Sequence, residues 1–514
     1  MPVTWEFSEV RVKSEPPSMF GKLSIRPELE AYLREMNPWW EGKPGPRLPS
    51  YRRWAFGTLL SKLHSGLAPA VVLKGARQVG KTTLQEQAIE YLIREKGVAP
   101  RRILRVQFED IKPFRVLKEP ILEITNWYEN CILGETLNEA AHRSEPAYVF
   151  LDEVQNLRDW APQLKMFVDH HTVHVVVTGS SALRIESGRD SLAGRITSLE
   201  IGTLLLREIA ELRFGETLPP LLPPSGLGNL LDTKFWREVS ANGRTRVEAR
   251  DRAFRAFSER GGYPIGHANP NLSWPELADQ LNETVIRRVI QHDLRAGERG
   301  RKRSAQLVEE VFRLACRYAG QQPGYPRLTA ELGDTLGAPV SWQHILNYLD
   351  FLDKTLLVRL VRTLELRMKR SKGNAKLCIV DHALRASWLE ELIPLDAAEL
   401  EASPHLADLA GHIAESVVGA FLVGIPHLDI AHFPQRPTEP EVDYILTIGD
   451  KRIPLEVKYR RRIDPLRDTE GLRSFLEKVH YNAPFGILVT MLDDVEIRDP
   501  RIIAVSLPSL LLMR

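Results

Sequence analysis

Short apolar runs alternate with longer stretches of helical spacing between residues 70 and 201. The apolar runs are Ala70–Leu73, Ile103–Phe108, Ala147–Leu151, Val173–Val177 and Thr197–Ile201. The stretches with helical spacing that separate the first four runs are Thr82–Glu95, Pro120–Leu133 and Asp159–Asp169. Apolar strands that alternate with helices are typical of a parallel sheet covered by helices on both faces. The pattern therefore predicts an α/β core with a parallel sheet.

The pattern changes on both sides of this core. Residues 1–50 are polar and rich in proline, and we expect them to form an N-terminal arm ahead of a core at 51–215. Pro219–Gly228, with four prolines and two glycines, ends the core. Helical spacing then resumes, interrupted at Gly261-Gly262-Tyr263-Pro264. We expect residues 216–300 to form a helical lid or linker.

The next segment, residues 301–380, has the order of a winged helix: three helices, a strand and a basic hairpin. The helices are expected at Ala305–Ala319, Leu328–Leu336 and Ser341–Lys354, and the basic turn at Met368–Lys376. In that fold the third helix would turn Trp342, Gln343, His344 and Asn347 toward a groove. The residues expected to form the wing are Lys369, Arg370 and Lys372. A winged helix that packs against proteins instead of DNA is the alternative.

The last segment, residues 381–514, contains two apolar strands, 441–446 and 452–458, joined by a turn at Gly449-Asp450. Alternation along a strand puts Glu456 and Lys458 on one face, with Asp443 facing them from the neighbouring strand. Glu415 on the preceding helix would complete the group. Two acids can hold Mg²⁺ while a lysine stabilises an attacking hydroxide, as in restriction-type nucleases. A salt-bridged strand pair without chemistry is the alternative.

The junction between the first strand and the first core helix carries the pattern G-x-x-x-x-G-K-T at Gly75–Thr82. Backbone N–H groups of such a loop, together with the helix N-terminus, bind phosphates. Lys81 would reach the β and γ phosphates of ATP, and the Thr82 hydroxyl would bind Mg²⁺. The residues expected to contact the nucleotide here are Gly75, Ala76, Arg77, Gln78, Val79, Gly80, Lys81, Thr82 and Thr83.

Acidic side chains follow the third apolar run. Asp152 would stand at the carboxyl end of a buried strand and hold the Mg²⁺ shell. Glu153 would orient or deprotonate the attacking water. Capping of the next segment by these two acids is the alternative.

Two further positions are candidates for nucleotide sensing. The fourth strand runs into Thr178-Gly179-Ser180-Ser181, where Ser180 or Ser181 would lie beside the γ-phosphate, with a turn-forming role as the rival interpretation. Arg195 is placed to act on the nucleotide of a neighbouring subunit, with a surface salt bridge as the equally weighted alternative.

Composition narrows the class of protein. The chain has 514 residues, 43% of them hydrophobic and 26% charged, with a formal net charge of +2. Because the overall charge is small, a nucleic-acid surface must come from local clusters. Such a cluster is Arg295–Arg303, which includes Arg301, Lys302 and Arg303 and which is a solvated face by the alternative interpretation. Three widely spaced cysteines fit a reducing compartment. No apolar run approaches the ~20 residues of a membrane span, so a cytoplasmic protein is expected.

The motifs at Gly75–Thr82, Leu151–Glu153, Thr178–Ser181, Leu192–Arg195 and Gly261–Pro264 resemble, in this order, those of the predicted AAA+ superfamily ATPases of bacteria and archaea. The resemblance covers nearly the whole chain. It implies an AAA+/RecA-like ATPase core, a winged-helix domain and a C-terminal restriction-endonuclease-like domain. In that family many C-terminal domains only bind nucleic acid.

The resemblance implies ATP and Mg²⁺ as cofactors. It implies Lys81 and Thr82 as nucleotide ligands, Asp152 as a Mg²⁺ ligand and Glu153 as the catalytic base. It also implies Arg195 as a finger acting in trans, and a nuclease-like site at Asp443, Glu456 and Lys458.

Together these features favour an ATPase that moves or remodels duplex or branched DNA as a hexameric ring. The alternatives are an ATP-gated, Mg²⁺-dependent DNA nuclease, and a nucleotide-dependent switch that binds protein partners.

Overall fold

The computed structural model describes residues 25–179, 192–293, 304–365 and 374–514. Its first sheet has five strands in the order β2-β3-β4-β1-β5. They are β1 (Ala70–Gly75), β2 (Ile103–Gln107), β3 (Tyr148–Asp152), β4 (His174–Gly179) and β5 (Ile196–Ile201). All four neighbouring pairs are parallel. The predicted parallel sheet is confirmed, with strand ends within a residue or two of those expected.

The described α-helices lie before, between and after the strands of this sheet, and continue through the rest of the chain. They are α1 (Pro27–Met36), α2 (Ala55–His64), α3 (Lys81–Arg94), α4 (Pro120–Tyr128), α5 (Leu137–His142), α6 (Trp160–His170), α7 (Leu206–Phe214), α8 (Thr233–Thr245), α9 (Val247–Arg260), α10 (Pro264–Ala268), α11 (Trp274–Leu281), α12 (Ala305–Arg317), α13 (Tyr325–Leu336), α14 (Trp342–Lys354), α15 (His382–Leu389), α16 (Ala397–Ala402), α17 (Ala407–Val423), α18 (Glu470–Leu476) and α19 (Leu507–Leu511). Turns of π-helix follow α4 and α11 at Glu129–Leu133, Asn282–Arg287 and Val289–Asp293.

Two apolar layers sandwich the first sheet. Alternate residues of β1 show the division: Val71 and Leu73 pack with helices α2 and α3 on one face. Ala70 and Val72 pack with α1, α4 and α6 on the other. Since both faces are covered, the strands are apolar along their whole length, which is the pattern that made them recognisable in the sequence.

The N-terminal arm is anchored on β2, an edge strand of this sheet. The Asn37 amide is fully buried and makes a strand-like pair with Arg105, accepting from its N–H at 2.7 Å and donating to its carbonyl at 2.8 Å. The indole N–H groups of Trp39 and Trp40 both donate to the Ile103 carbonyl. These side chains satisfy backbone groups that an edge strand would otherwise leave unpaired.

The second sheet is mixed and has seven strands in the order β12-β11-β10-β9-β8-β6-β7. They are β6 (Val358–Thr363), β7 (Lys376–Ile379), β8 (Asp429–Phe433), β9 (Val442–Ile448), β10 (Lys451–Lys458), β11 (Gly486–Thr490) and β12 (Ile502–Ser506). Strands β6 and β7 pair antiparallel and follow three helices, but the winged helix stays a prediction. Strand β6 also pairs with β8. Strands β6 and β7, which precede the domain boundary expected at residue 380, are therefore part of the same sheet as the strands that follow it. The domain boundaries drawn from the sequence stay predictions.

Helices of the expected lid segment pack on the C-terminal part of the chain. The single helical stretch predicted around Phe235–Ser258 is two helices, α8 and α9, separated at Arg246. Their apolar faces share a core with the C-terminal sheet and α19. The N–H groups of Leu221 and Leu222 both donate to the Met513 carbonyl. This segment is therefore fastened to the C-terminal sheet.

The Gly261–Pro264 motif lies at the junction of the two parts. Gly262 accepts from Leu204 N at 2.7 Å and donates to Asp381 Oδ2 at 2.6 Å. Gly261 has φ +69°, and a Cβ there would lie 2.1 Å from Asp381 Oδ1. Only glycine fits this left-handed backbone against a buried carboxylate.

One helix departs from the expectation that no apolar run approaches membrane length. Among the described residues, Pro404–Val423 is long and apolar enough to span a membrane, with a mean hydropathy of 1.5 over its most apolar window. Its side chains at Ile413, Val417 and Val418 are buried against the second sheet. The helix is apolar because it packs in a core, and that was missed in the sequence.

The Asn37 clamp gives a stability prediction. Asn37→Ala leaves the Arg105 N–H and C=O without partners, so we expect the opening free energy of β2 amides to fall by about 2 kcal/mol. Amide hydrogen exchange on residues 103–107 measures it. Asn130→Ala, at an exposed asparagine, should leave those amides within ~0.5 kcal/mol of wild type. Equal protection in the two variants would contradict the clamp.

Candidate functional site

The G-x-x-x-x-G-K-T loop connects β1 to α3 at the carboxyl edge of the first sheet. At Gly75, where the strand ends, a Cβ would lie 2.3 Å from the Ile201 carbonyl oxygen, so the loop starts flush against β5. The chain then turns through left-handed backbone at Gln78 (φ 61°) and Gly80 (φ 89°) before α3 begins. Such a turn at the start of a helix of 14 residues is a concave array of N–H groups suited to an anion.

Lys81 and Thr82 lie on the first turn of α3. The Lys81 ammonium is buried, and donates to the carbonyls of Gly75 at 3.0 Å and Ala76 at 2.8 Å. The Thr82 hydroxyl donates to Asp152 Oδ2 at 3.0 Å. The sequence assigned Thr82 and Asp152 as Mg²⁺ ligands, and the structure brings them into direct contact.

Asp152 ends β3 and has no exposed surface. Thr178 donates its hydroxyl hydrogen to Oδ1, and Arg105 Nη2 lies 3.8 Å from Oδ2. Burial raises the pKa of Asp152, while the hydrogen bonds from Thr178 and Thr82 and the charge of Arg105 oppose the rise. Arg105 is itself held by Glu86 of α3 at 3.0 Å.

Glu153 follows Asp152 in a left-handed conformation, φ 54° and ψ 41°, which is uncommon for a residue with a side chain. Its N–H donates to the Thr178 hydroxyl at 3.1 Å, and its carboxylate accepts from the Gln155 side-chain amide. The strained turn directs the chain away from the sheet immediately after the two acids.

The side chains that support Asp152 and Glu153 were not found in the sequence. Thr178 is the last side chain of β4, whereas the residues predicted from the sequence were Ser180 and Ser181. Arg105 lies within an apolar run of the sequence. Because an arginine is rarely buried in a strand unless an acid pairs with it, its presence there could have indicated a buried acid nearby. Gln155 offered no signal.

A buried ion pair braces the back of the loop. Arg53 donates to the Val79 carbonyl at 2.7 Å and pairs with Glu208 at 2.8 Å. It also donates to the carbonyls of Gly202 and Thr203, which follow β5. Burial alone would raise the pKa of Glu208, but the charge and hydrogen bonds of Arg53 hold that pKa below its usual value. The brace ties the loop to the segment after β5.

Arg195 lies at the amino ends of the strands, whereas the loop lies at their carboxyl ends. Its carbonyl accepts from Ala70 N at 3.2 Å, at the start of β1. The loop begins at the other end of this six-residue strand, about 16 Å away. The Arg195 side chain is about one-third exposed and pairs with Asp169 at 2.5 Å. It forms the surface salt bridge that the sequence left open, and it does not reach the nucleotide site of its own chain.

Several other predicted residues lie outside the described part of the chain. These are Ser180 and Ser181 of the expected sensor position, Arg301, Lys302 and Arg303, and Lys369, Arg370 and Lys372 of the expected wing. The third helix of the expected winged helix, α14, is described. Trp342, Gln343, His344 and Asn347 are all exposed on it, and Ser341 caps it by accepting from His344 N.

The second candidate site lies in the C-terminal sheet, where the four residues predicted to form it come together. Asp443 on β9 accepts from Val457 N of β10 at 2.8 Å, and Glu456 pairs with Lys458 at 2.5 Å. Lys376 at the start of β7 ion-pairs with both Glu415 of α17 and Asp443. The sequence had counted Lys376 with the exposed basic turn, whereas only 1% of its side chain is exposed.

The carboxyls of this cluster have pKa values shifted in opposite directions. Burial raises the pKa of Glu415 well above its usual range, and the pKa of Glu456 to about 8. Burial would also raise the pKa of Asp443, but Lys376 and the hydrogen bond with Glu415 outweigh it and set that pKa at about 2. Within the described residues, no group of three or more His, Cys, Asp or Glu side chains is arranged as a metal site.

The donor chemistry of the first site fits Mg²⁺–ATP. A threonine hydroxyl and a buried carboxylate are hard oxygen ligands, and Mg²⁺ is held by few such ligands together with phosphate oxygens. The buried ammonium of Lys81 donates to the carbonyls of Gly75 and Ala76 in the same loop. Phosphate oxygens would offer it charged acceptors instead.

Three parts of the chain match models of known domain families. Residues 68–210 match the model of an AAA domain, residues 251–394 match the domain of unknown function DUF8612, and residues 410–510 match the domain of unknown function DUF4143. The match over residues 68–210 supports an AAA-type, P-loop ATPase core in this part of the chain.

The chain is also similar to individual proteins. It is 25% identical over 288 residues to the uncharacterized protein MJ1637 of Methanocaldococcus jannaschii, covering 56% of this chain and 55% of that protein. The match therefore spans about half of the relative. Among solved structures, the Walker-type ATPase paby2304 of Pyrococcus abyssi is 15% identical with a TM-score of 0.41, over 68% of this chain and 99% of that one. The Orc1 protein of Aeropyrum pernix, solved in complex with DNA, is 14% identical with a TM-score of 0.27, over 66% and 94%.

The Arg105–Asp152 contact gives a pH prediction. A carboxyl with a raised pKa loses its charge as the pH falls through that pKa, and with it the ability to bind Mg²⁺. Because Arg105 lowers the pKa of Asp152, Arg105→Met should move the acid limb of the kcat/KM profile for ATP hydrolysis to higher pH.

Arg102→Met is the matched control for this experiment. Arg102 directly precedes the same strand, is buried, and pairs with Glu145 away from the loop. We expect its pH profile to overlay that of wild type. An acid limb that stays in place in Arg105→Met would show that Asp152 does not depend on Arg105.

Proposed function

We propose that this chain couples ATP hydrolysis to binding, and to translocation or remodelling, of duplex or branched DNA as a member of a ring. The AAA-type ATPase core is the foundation. The observation that carries the proposal is the contact between Thr82 of the loop and the buried Asp152, with Glu153 directly after it. The DNA and the ring are further steps, each resting on a different part of the chain.

In this mechanism the loop amides and Lys81 bind the β and γ phosphates. Mg²⁺ held by Thr82 and Asp152 would neutralise phosphate charge as it develops. Glu153 accepts a proton from the attacking water or orients it, and its backbone is fixed by the bond to Thr178. Thr178 contacts both Asp152 and Glu153, so it positions the metal ligand relative to the base.

The DNA part of the proposal is supported by the exposed end of α14. The polar side chains of Gln343, His344 and Asn347 stand together there, and Ser341 caps a helix N-terminus that is open to solvent. Exposed amide side chains on a helix following two others are typical of major-groove recognition. In the sequence, basic residues precede and follow this helix, in segments 295–303 and 369–372.

The ring part of the proposal is supported by the location of Arg195. Arg195 lies at the end of the strands opposite the loop and is therefore too far away to contact a nucleotide bound by its own chain. Its side chain is partly exposed, so it is available to an adjacent subunit. We propose that Arg195 leaves Asp169 and contacts the γ-phosphate of the neighbouring subunit in a hexamer.

Hydrolysis is tested at Glu153. Glu153→Gln keeps the shape of the side chain but removes the base, so we expect kcat to fall about 10²–10⁴-fold with little change in nucleotide affinity. Steady-state phosphate release and binding of a fluorescent ATP analogue measure the two quantities. Glu145→Gln, at an exposed acid away from the loop, should turn over like wild type. Normal turnover by Glu153→Gln would remove Glu153 from the mechanism.

DNA binding is tested on α14. The double substitution Gln343→Ala/Asn347→Ala should weaken binding of duplex or branched DNA about tenfold, since amide contacts to bases are worth about 1–3 kcal/mol. Fluorescence anisotropy over a salt series measures it, together with DNA stimulation of ATP turnover. Gln280→Ala, at an exposed glutamine on α11, is the control. An ATPase rate indifferent to duplex, branched and single-stranded DNA would end the proposal.

A second candidate function, an ATP-gated and Mg²⁺-dependent nuclease, is favoured by the assembly of Glu415, Asp443, Glu456 and Lys458 into one cluster. Its signature would be DNA cleavage that requires Mg²⁺ and that Asp443→Ala abolishes. The ion pairs of Lys376 with Glu415 and Asp443 stand against it.

A further inference from the structure

The C-terminal acidic cluster contains a lysine at its centre. The Lys376 ammonium donates to Glu415 Oε1 and, at 2.9 Å, to Asp443 Oδ1. Glu441 Oε1 lies 3.7 Å from it. The same ammonium lies 5.1 Å from the centre of the Tyr444 ring. One buried cation therefore contacts three carboxyls and an aromatic face, with 1% of its side chain exposed.

The cluster has more carboxyls than ammonium groups. Four acids, Glu415, Glu441, Asp443 and Glu456, face two lysines. The second lysine, Lys458, bonds to Glu456 Oε1. The other oxygen, Glu456 Oε2, is buried and has no hydrogen-bond partner among the described residues, and Glu456 as a whole is 8% exposed. The cluster is built to hold positive charge and retains oxygen capacity beyond what the two lysines use.

Oxygen ligands from a helix and from neighbouring strands are the set that binds Mg²⁺, Mn²⁺ or Ca²⁺. An ammonium and a divalent ion compete for the same lone pairs. The ammonium of Lys376 is tethered to β7, so its effective concentration at the cluster is high and independent of the solution. A metal ion would also have to leave Lys376 charged in an apolar interior without its acceptors, which is strongly unfavourable.

We propose that Lys376 is the resident cation of this cluster, standing where a divalent ion would bind, and that the cluster becomes a divalent-cation site only when Lys376 is removed. The C-terminal sheet then uses the acids to fasten β7 and α17 together, and has no metal-dependent chemistry while Lys376 is in place. This inference is independent of the proposed ATP and DNA function.

The probe for the test is terbium(III), a hard cation whose luminescence is sensitised by a nearby tyrosine, here Tyr444. Full-length protein is titrated without nucleotide. We expect wild type and Asp443→Asn to give the same weak signal. Lys376→Met should bind terbium(III) at least tenfold more tightly than wild type, with displacement by Mn²⁺ or Mg²⁺. Lys376→Met/Asp443→Asn should lose the gain.

Lys458→Met is the matched control, because it removes an ammonium from the same cluster but not the one between Glu415 and Asp443. We expect it to change terbium(III) affinity less than threefold. A second readout is stability: the thermal midpoint of Lys376→Met should lie below that of wild type and rise on addition of Mn²⁺. The midpoint of the double variant should not respond.

Either of two results would overturn the inference. One is terbium(III) binding to wild type that Asp443→Asn removes, which would mean that a metal displaces Lys376 unaided. The other is a folded Lys376→Met with no gain in affinity. If Lys376→Met does not fold, the comparison of wild type with Asp443→Asn still decides: Asp443-dependent binding refutes the proposal, and its absence supports it.

Discussion

The charge of Asp152 is the constraint around which the first half of the molecule is arranged. A carboxylate with no exposed surface is costly unless each oxygen has a partner. Thr82 supplies one from the loop and Thr178 one from β4 on one side of Asp152, while Arg105 places a positive charge 3.8 Å away from β2 on the other side. Arg105 is positioned in turn by Asn37, which binds its backbone from the N-terminal arm. The arm, three strands and the loop thus meet at a single side chain.

The loop is also connected outward, to the rest of the chain. Arg53 binds the Val79 carbonyl on one side and the segment after β5 on the other. Leu204 in that segment donates to Gly262, whose N–H donates to the buried Asp381 at the start of α15. Each contact uses a backbone group or a buried charge, so none can lengthen without leaving an unpaired polar group. The loop is therefore connected to Gly262 and Asp381 through an unbroken series of hydrogen bonds and buried charges.

The sequence was sufficient for the first sheet because its strands are buried on both faces and read as apolar runs, with the loop, Asp152 and Glu153 at predictable strand ends. It was insufficient where function depends on side chains from distant parts of the chain. Arg105 and Thr178 support the acids only after three strands are placed side by side. Lys376 was misread for the same reason. Beside Lys369, Arg370 and Lys372 it looks like part of a basic turn, and only the packing of β7 on α17 and the contact of the Lys376 side chain with Asp443 show it to be buried. The local pattern of residues predicts strands and loops, but it does not predict which side chains of different elements pair.

The two candidate sites place similar ligands in opposite situations. At Asp152 the partners of the carboxylate are two neutral hydroxyls and an arginine 3.8 Å away, groups that an incoming cation can outcompete. At Asp443 the partner is an ammonium at 2.9 Å that is covalently part of the chain. A site that binds and releases its cation repeatedly needs the first arrangement, because the free-energy cost of releasing the cation must be small. A site whose cation is a side chain cannot exchange it. The hydroxyl on Asp152 and the ammonium on Asp443 therefore mark the difference between a site whose cation can exchange and a site whose cation cannot.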